Sequence, residues 1–141
     1  MTWLANDKVE SVGLIMPLSK KSIQKLQTCH SDLIKLIEAV AETEKCAVIC
    51  GFRGRYEQEK AYNTGKSKAK FGQSKHNLKP SMAVDVVPLP LNWEDIPAFE
   101  RLGEVIMKKA EELNIKVKWG KNFKGLADYP HFELVEDKKS E

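Results

Sequence analysis

The chain has 141 residues, a length that suits one domain built round one hydrophobic core. Hydrophobic residues make up 42% and charged residues 30%, and the formal net charge of +3 is too small to dictate a partner by itself. No apolar run approaches the roughly 18 residues a membrane-spanning helix needs, and Met1-Thr2-Trp3-Leu4-Ala5-Asn6-Asp7 lacks the basic-then-apolar pattern of a signal peptide. The expectation is therefore synthesis in the cytoplasm, with any action outside depending on a separate exit.

Residues 1–17 show no clear period and read as an N-terminal extension, in which Val12, Leu14, Ile15 and Met16 form a short packed or extended segment stopped by Pro17. Ser19 opens a short helix. Ser31 caps a longer one, whose Leu33, Ile34, Ile37, Val40 and Ala41 recur at helical spacing as a core-facing stripe through about Glu44. His30, just before that cap, reads as a structural histidine at a helix junction. Residues 46–50, Cys46-Ala47-Val48-Ile49-Cys50, form a buried strand ended by Gly51. On a regular strand Cys46 and Cys50 would share one face about 13 Å apart, too far to bridge. With Cys29 they make an odd count of three, against a disulfide framework. All three read as small buried apolar residues.

Residues 56–62 suit a helix, and residues 65–79 a polar loop carrying Lys66, Lys68, Lys70, Lys75 and Lys79. Residues 82–87 read as a strand stopped by Pro88 and Pro90. Asp95 caps a helix with Pro97 in its first turn and an apolar stripe of Phe99, Leu102, Ile106, Ala110 and Leu113. Residues 115–119 form a strand ended by Gly120, and residues 121–127 a loop. In a last strand, 130–134, His131 and Glu133 point one way and Phe132 and Leu134 the other. A charged tail follows. The order predicts a small single α+β domain over residues 18–135, with helices packed on one face of a mostly antiparallel sheet and residues 136–141 as tail.

Asp85 is the anomaly in this pattern. A carboxylate flanked by Val84 and Val86 in a buried strand must be paired or bound to a metal. Taken singly, His76 in a polar loop, Asp128 in a loop and His131 on a strand are ordinary. Together they place two of the three histidines near an aspartate, and all could reach one cleft if the Asp85 and His131 strands pair. Two imidazoles and one carboxylate are a complete protein ligand set for a catalytic zinc, with a fourth position left to water. A spare carboxylate beside that water is what a metallohydrolase uses as general base. Arg53, just past a buried strand and ahead of a helix, suits a substrate carboxylate or a developing oxyanion, though it also reads as a surface arginine.

Ser74-Lys75-His76, then Ala83-Val84-Asp85, then Asp128-Tyr129-Pro130-His131-Phe132-Glu133 resembles the zinc D-alanyl-D-alanine carboxypeptidase/dipeptidase family. The likeness is strongest to its branch of phage endolysins acting as L-alanyl-D-glutamate endopeptidases on peptidoglycan. Gly51-Phe52-Arg53, Trp119-Gly120, Leu18-Ser19 and His30-Ser31-Asp32-Leu33 extend it over residues 18–134. The resemblance implies one zinc per chain on His76, Asp85 and His131, in a cleft on the sheet. It implies Asp128 as general base, Arg53 as oxyanion donor, and Ser74 and Trp119 on the substrate side. Glu133, on the face of His131, would orient a ligand. The implied substrate is the peptidoglycan stem peptide, cut by a monomer that acts on the wall after release and binds neither nucleic acid nor membrane.

The family's usual gap between the first histidine and the aspartate is shorter and commonly holds a glycine. Here Lys79-Pro80-Ser81 lies between His76 and Asp85, a two-residue insertion that changes the adjoining pocket and leaves both ligands able to converge. Two other readings remain open at this level: a D,D-carboxypeptidase or dipeptidase on cell-wall peptides, and a non-enzymatic module whose lysine loop grips an anionic polymer.

Overall fold

The computed structural model describes residues 18–123 and 127–136. The expected segment at Val12, Leu14, Ile15 and Met16, residues 124–126 of the loop before the last motif, and the end of the tail lie outside the described residues. The elements are α1 (Lys20–Leu26), α2 (Ser31–Ala41), β1 (Cys46–Cys50), α3 (Arg55–Asn63), β2 (Ala83–Pro88), α4 (Ile96–Glu112), β3 (Val117–Trp119) and β4 (His131–Leu134), with 3-10 turns at Lys75–Asn77 and Gly120–Asn122. The strands form one antiparallel sheet in the order β1-β2-β4-β3. This is the expected α+β architecture. None of the described helices is long and apolar enough to cross a membrane.

Three of the four helices, α1, α2 and α4, begin on a side chain that satisfies a free backbone amide, and α3 begins on Gly54 without one. Ser19 Oγ accepts from Ser22 N at 3.1 Å, and the Asp95 carboxylate accepts from Ala98 N at 3.2 Å. The cap of α2 is His30 rather than Ser31: its Nδ1 accepts from Asp32 N at 3.0 Å, so Ser31 is already inside the helix. The strand expected from residue 115 starts two residues later. Asn114 takes a positive φ of 60° and Ile115 N still bonds Ala110 O at 2.9 Å, so Ile115 completes the end of α4.

Directly opposed residues of an antiparallel pair share a face. One face of the sheet carries Val48, Val84, Val86, Phe132 and Leu134. These bury against Leu33, Leu36, Ile37 and Val40 of α2 and Leu102, Ile106 and Ala110 of α4. Burial of each such side chain favours the fold by about 1.5–3 kcal/mol. Helix α1 lies against the edge strand, where Ser22 Oγ accepts from Val48 N at 2.9 Å. The opposite face carries Asp85, His131 and Glu133.

The two strand cysteines do not share a face. The register shifts between Val48, opposite Val86, and Cys50, opposite Asp85. A bulge gives β1 an extra residue and turns the following side chain over. Cys46 stays on the core side; Cys50 joins Asp85.

Trp119 is sandwiched in this core. Its ring stacks on Phe132 at 5.8 Å, and its Nε1 donates to Tyr129 O at 2.8 Å. A Cβ on Gly103 of α4 would run into the Trp119 six-membered ring. Gly103→Ala should therefore lower stability by about 1–3 kcal/mol, the usual cost of overpacking. Urea denaturation should show a lower midpoint with an unchanged slope.

Candidate functional site

Antiparallel pairing puts Cys50, Asp85 and His131 in one row across β1, β2 and β4, on the face away from α2 and α4. His76 joins the row from the 3-10 turn above it. Ser74 Oγ accepts from His76 N at 3.1 Å, and Asn77 Oδ1 accepts from Ser74 N at 3.2 Å and Gly72 N at 2.9 Å. Asn77 Nδ2 donates to Arg53 O at 2.9 Å and Arg53 N donates to His76 O at 2.8 Å, lacing the turn to the segment after β1.

The run between His76 and Asp85 is pinned as well. Buried Ser81 donates from its backbone N to Thr28 O at 2.9 Å and accepts from His30 N at 2.8 Å, while its Oγ bonds Ala83 O at 2.6 Å. The segment is thereby anchored against the α1–α2 connection, and His76 Nε2 meets Asp85 Oδ1 at 3.1 Å.

The two imidazoles converge on a single carboxylate oxygen. His76 Nε2 lies 3.1 Å and His131 Nδ1 3.2 Å from Asp85 Oδ1, with ring centroids 5.1 Å apart. The far nitrogen of each ring is held from behind: His76 Nδ1 by Gly51 O at 2.7 Å, His131 Nε2 by Glu133 Oε1 at 2.8 Å. Glu133 is steadied by Lys75, whose Nζ lies 3.7 Å from Oε2 and donates to Leu134 O at 2.6 Å.

Electrostatics follow from this packing. Burial raises the Asp85 carboxyl, but hydrogen bonds from His131 and His76 outweigh burial and hold it well below the usual carboxylate range. Burial lowers both imidazoles, yet the bonds to Asp85 prevail. His76, also bonded to Cys50, rises to about 10, and His131, also bonded to Glu133, to about 9. Protons and a metal thus compete for the same two nitrogens. Asp128, half-buried across the cleft, is raised by burial and by the Asp85 charge.

The donor chemistry fits a divalent metal. Near nitrogens aimed at one buried carboxylate, with far nitrogens held by a carbonyl and a carboxylate, is how proteins fix metal-binding imidazoles. Cys50 offers a second grouping, since Cys50, His76 and Asp85 can place one ligand atom each within 4.8 Å of one another. Yet Cys50 Sγ lies 3.6 Å from His76 Nδ1, the nitrogen that already faces Gly51 O. On the Nε2 side the ring faces Asp85 and not sulfur.

Arg53 borders the same row. Its Nη2 lies 3.7 Å from Asp85 Oδ2 and 3.6 Å from Cys50 Sγ, and its Nη1 donates to Gln58 Oε1 at 3.0 Å. These groups open into a cleft of about 1460 Å³, with Ser74, Asp128, Phe123 and Trp93 on its walls. That exceeds an ordinary small-molecule pocket and suits a polymer or extended peptide.

Of the residues expected at the site, His76, Asp85, His131, Arg53, Ser74 and Asp128 all line this cleft. Trp119 does not: it is 7% exposed and braced between Gly103 and Phe132, so it supports the Tyr129 turn instead of offering a surface to substrate. Cys50 and Gln58 are at the site and were not expected there. Cys50 escaped because nothing in residues 46–50 marks the bulge. Gln58 escaped because it sits in a helix polar all round.

The model of the phage L-alanyl-D-glutamate peptidases matches residues 14–136. The chain belongs to this family. The structure is similar to the crystal structure of the L-Ala D-Glu endopeptidase ChiX of Serratia marcescens, with a TM-score of 0.71 and 29% identity. The match covers 82% of this chain and 87% of that one.

Gly120 of this peptidase is where the Trp-Gly pair meets the last motif. Its carbonyl accepts from Asp128 N at 2.9 Å, Asp128 O accepts from His131 N at 3.1 Å, and a Cβ on Gly120 would strike Asp128 O. Gly120→Ala must push back the turn that carries both Asp128 and His131. A shift near 1 Å costs on the order of 100-fold in rate, so peptidase activity should fall by about that factor while far-ultraviolet circular dichroism stays native.

Proposed function

We propose that this chain is a zinc-dependent peptidoglycan peptidase that cuts the L-alanyl-D-glutamate bond of the stem peptide, as a phage endolysin. The observation that carries the metal assignment is the convergence of His76 Nε2 and His131 Nδ1 on Asp85 Oδ1, each ring held from behind. His76, Asp85 and His131 would hold one zinc, in keeping with the wider zinc D-alanyl-D-alanine carboxypeptidase/dipeptidase family. The bond assignment is supported by the family's own description and by the structural likeness to an L-Ala D-Glu endopeptidase.

When bound, the metal supplies Lewis acidity, polarising the scissile carbonyl and acidifying the attacking water. The protein supplies the rest. Asp128 takes the water's proton and later delivers it to the leaving amine. Burial and the Asp85 charge raise its carboxyl, which improves its match to that task. Arg53 donates to the developing oxyanion, a contribution of about 3 kcal/mol for one well-placed donor. Ser74, on the cleft wall, is left to position the peptide. The protein would act on the wall as a monomer after leaving the cytoplasm by a separate route, with no nucleic-acid or membrane partner.

Lysis of purified peptidoglycan should be lost on chelation and restored by zinc. Fragment masses should show new L-alanine carboxyl and D-glutamate amino ends; release of terminal D-alanine alone would instead make it a D,D-carboxypeptidase. Asp128→Ala should retain stoichiometric zinc and lose about 10²–10⁴-fold in turnover, the usual weight of general acid–base catalysis. Turnover near wild type in that variant would remove Asp128 from the role of base.

A further inference from the structure

Among the described residues of α3, Gln58 alone is buried, at 0% exposure, in a helix otherwise facing solvent. A glutamine side chain has two acceptor and two donor sites, and all four are used. Oε1 accepts from Arg53 Nη1 at 3.0 Å and Asn77 Nδ2 at 3.2 Å. Nε2 donates to Ala69 O at 2.6 Å and Ser67 Oγ at 3.1 Å. The orientation of the amide is forced by its neighbours. The guanidinium only donates and the Ala69 carbonyl only accepts. Asn77 must present its nitrogen, because its oxygen already receives two backbone amides.

This amide joins three parts of the site that are separate in sequence: the arginine after β1, the turn that carries His76, and the lysine-rich loop. It also makes the shortest hydrogen bond to the Arg53 guanidinium among the described residues, the other polar neighbours being Cys50 Sγ at 3.6 Å and Asp85 Oδ2 at 3.7 Å. Asp85 carries a full charge and attracts the same guanidinium. With the Gln58 acceptor removed, Arg53 would be free to swing onto Asp85.

Resting on the reading of Arg53 as oxyanion donor, we propose that Gln58 is a positioning residue that holds the Arg53 guanidinium out of a closed pair with Asp85 and aimed at the substrate carbonyl.

The test is a double-mutant cycle on zinc-loaded full-length protein, with peptidoglycan turnover, zinc content and melting temperature as readouts. Gln58→Met conserves volume and removes the acceptor; kcat should fall about 10–100-fold with KM changed less than about threefold, as for a misaligned transition-state contact. Zinc should stay at one per chain. In an Arg53→Ala background the same change should cost less than about twofold more, because partners acting through one group are not additive. Gln58→Glu keeps an acceptor for Arg53 and loses both donors to the loop; it should hold kcat within about fivefold of wild type.

A mere staple for the loop would instead give additive losses and equal damage from Gln58→Met and Gln58→Glu. That result, with Arg53→Ala still strongly impaired, overturns this proposal alone. If Arg53→Ala itself leaves kcat unchanged, the reading of Arg53 falls and this proposal with it. Should Gln58→Met fail to fold, Gln58→Glu decides, since a loss as deep as that of Arg53→Ala contradicts the proposal.

Discussion

A carboxylate buried in the middle of a sheet is the constraint on which the rest of this structure depends. Asp85 sits on β2 between Val84 and Val86, at 9% exposure, and an unpaired charge there would cost several kcal/mol. The fold answers from three directions. β4 brings His131 directly opposite, a capped turn lowers His76 onto the same oxygen, and Arg53 approaches the second oxygen at 3.7 Å. Each group is also one the proposed chemistry uses. The compensation that permits a buried charge is thus the site itself.

Much of the remaining structure holds these groups still. β4 is fixed by pairing on both edges, and Trp119 behind it fills the space beside Gly103. The His76 turn has no strand to lean on and is instead laced by Ser74, Asn77, Arg53 and Ser81. Polar networks of this kind are stable only when every member is satisfied. The fully bonded Gln58 and the paired Lys75–Glu133 are consistent with that demand.

The parts of the fold governed by apolar spacing were legible in the sequence. β1 and α4 lie where their hydrophobic runs and caps place them, and the alternation of 130–134 assigns His131 and Glu133 to one face. Asp85 declared itself as a charge in an apolar strand. What was not legible depends on tertiary packing. The bulge that turns Cys50 over leaves no mark in five apolar residues. Gln58 is buried where Arg53, Asn77, Ser67 and Ala69 close on its amide, and its helix has no apolar stripe to hint at it. Trp119 beside a glycine reads equally well as a substrate platform or a core ring, and only its contact with Gly103 decides. His30 was expected at a junction, but its service as the cap itself rests on an imidazole nitrogen accepting where serine or aspartate usually does. Arg53 after a buried strand and ahead of a helix reads as either a cleft or a surface arginine, and Ser74, a serine in a loop, is marked only by family resemblance.

X-ray absorption at the zinc edge, on protein reconstituted with one zinc per chain, bears most directly on whether His76, Asp85 and His131 hold the metal. The expected result is a shell of nitrogen and oxygen at about 2.0–2.1 Å, with the outer scattering of two imidazole rings, from His76, Asp85 and His131. A sulfur scatterer at about 2.3 Å would put Cys50 on the metal in place of one of these ligands and contradict the assignment.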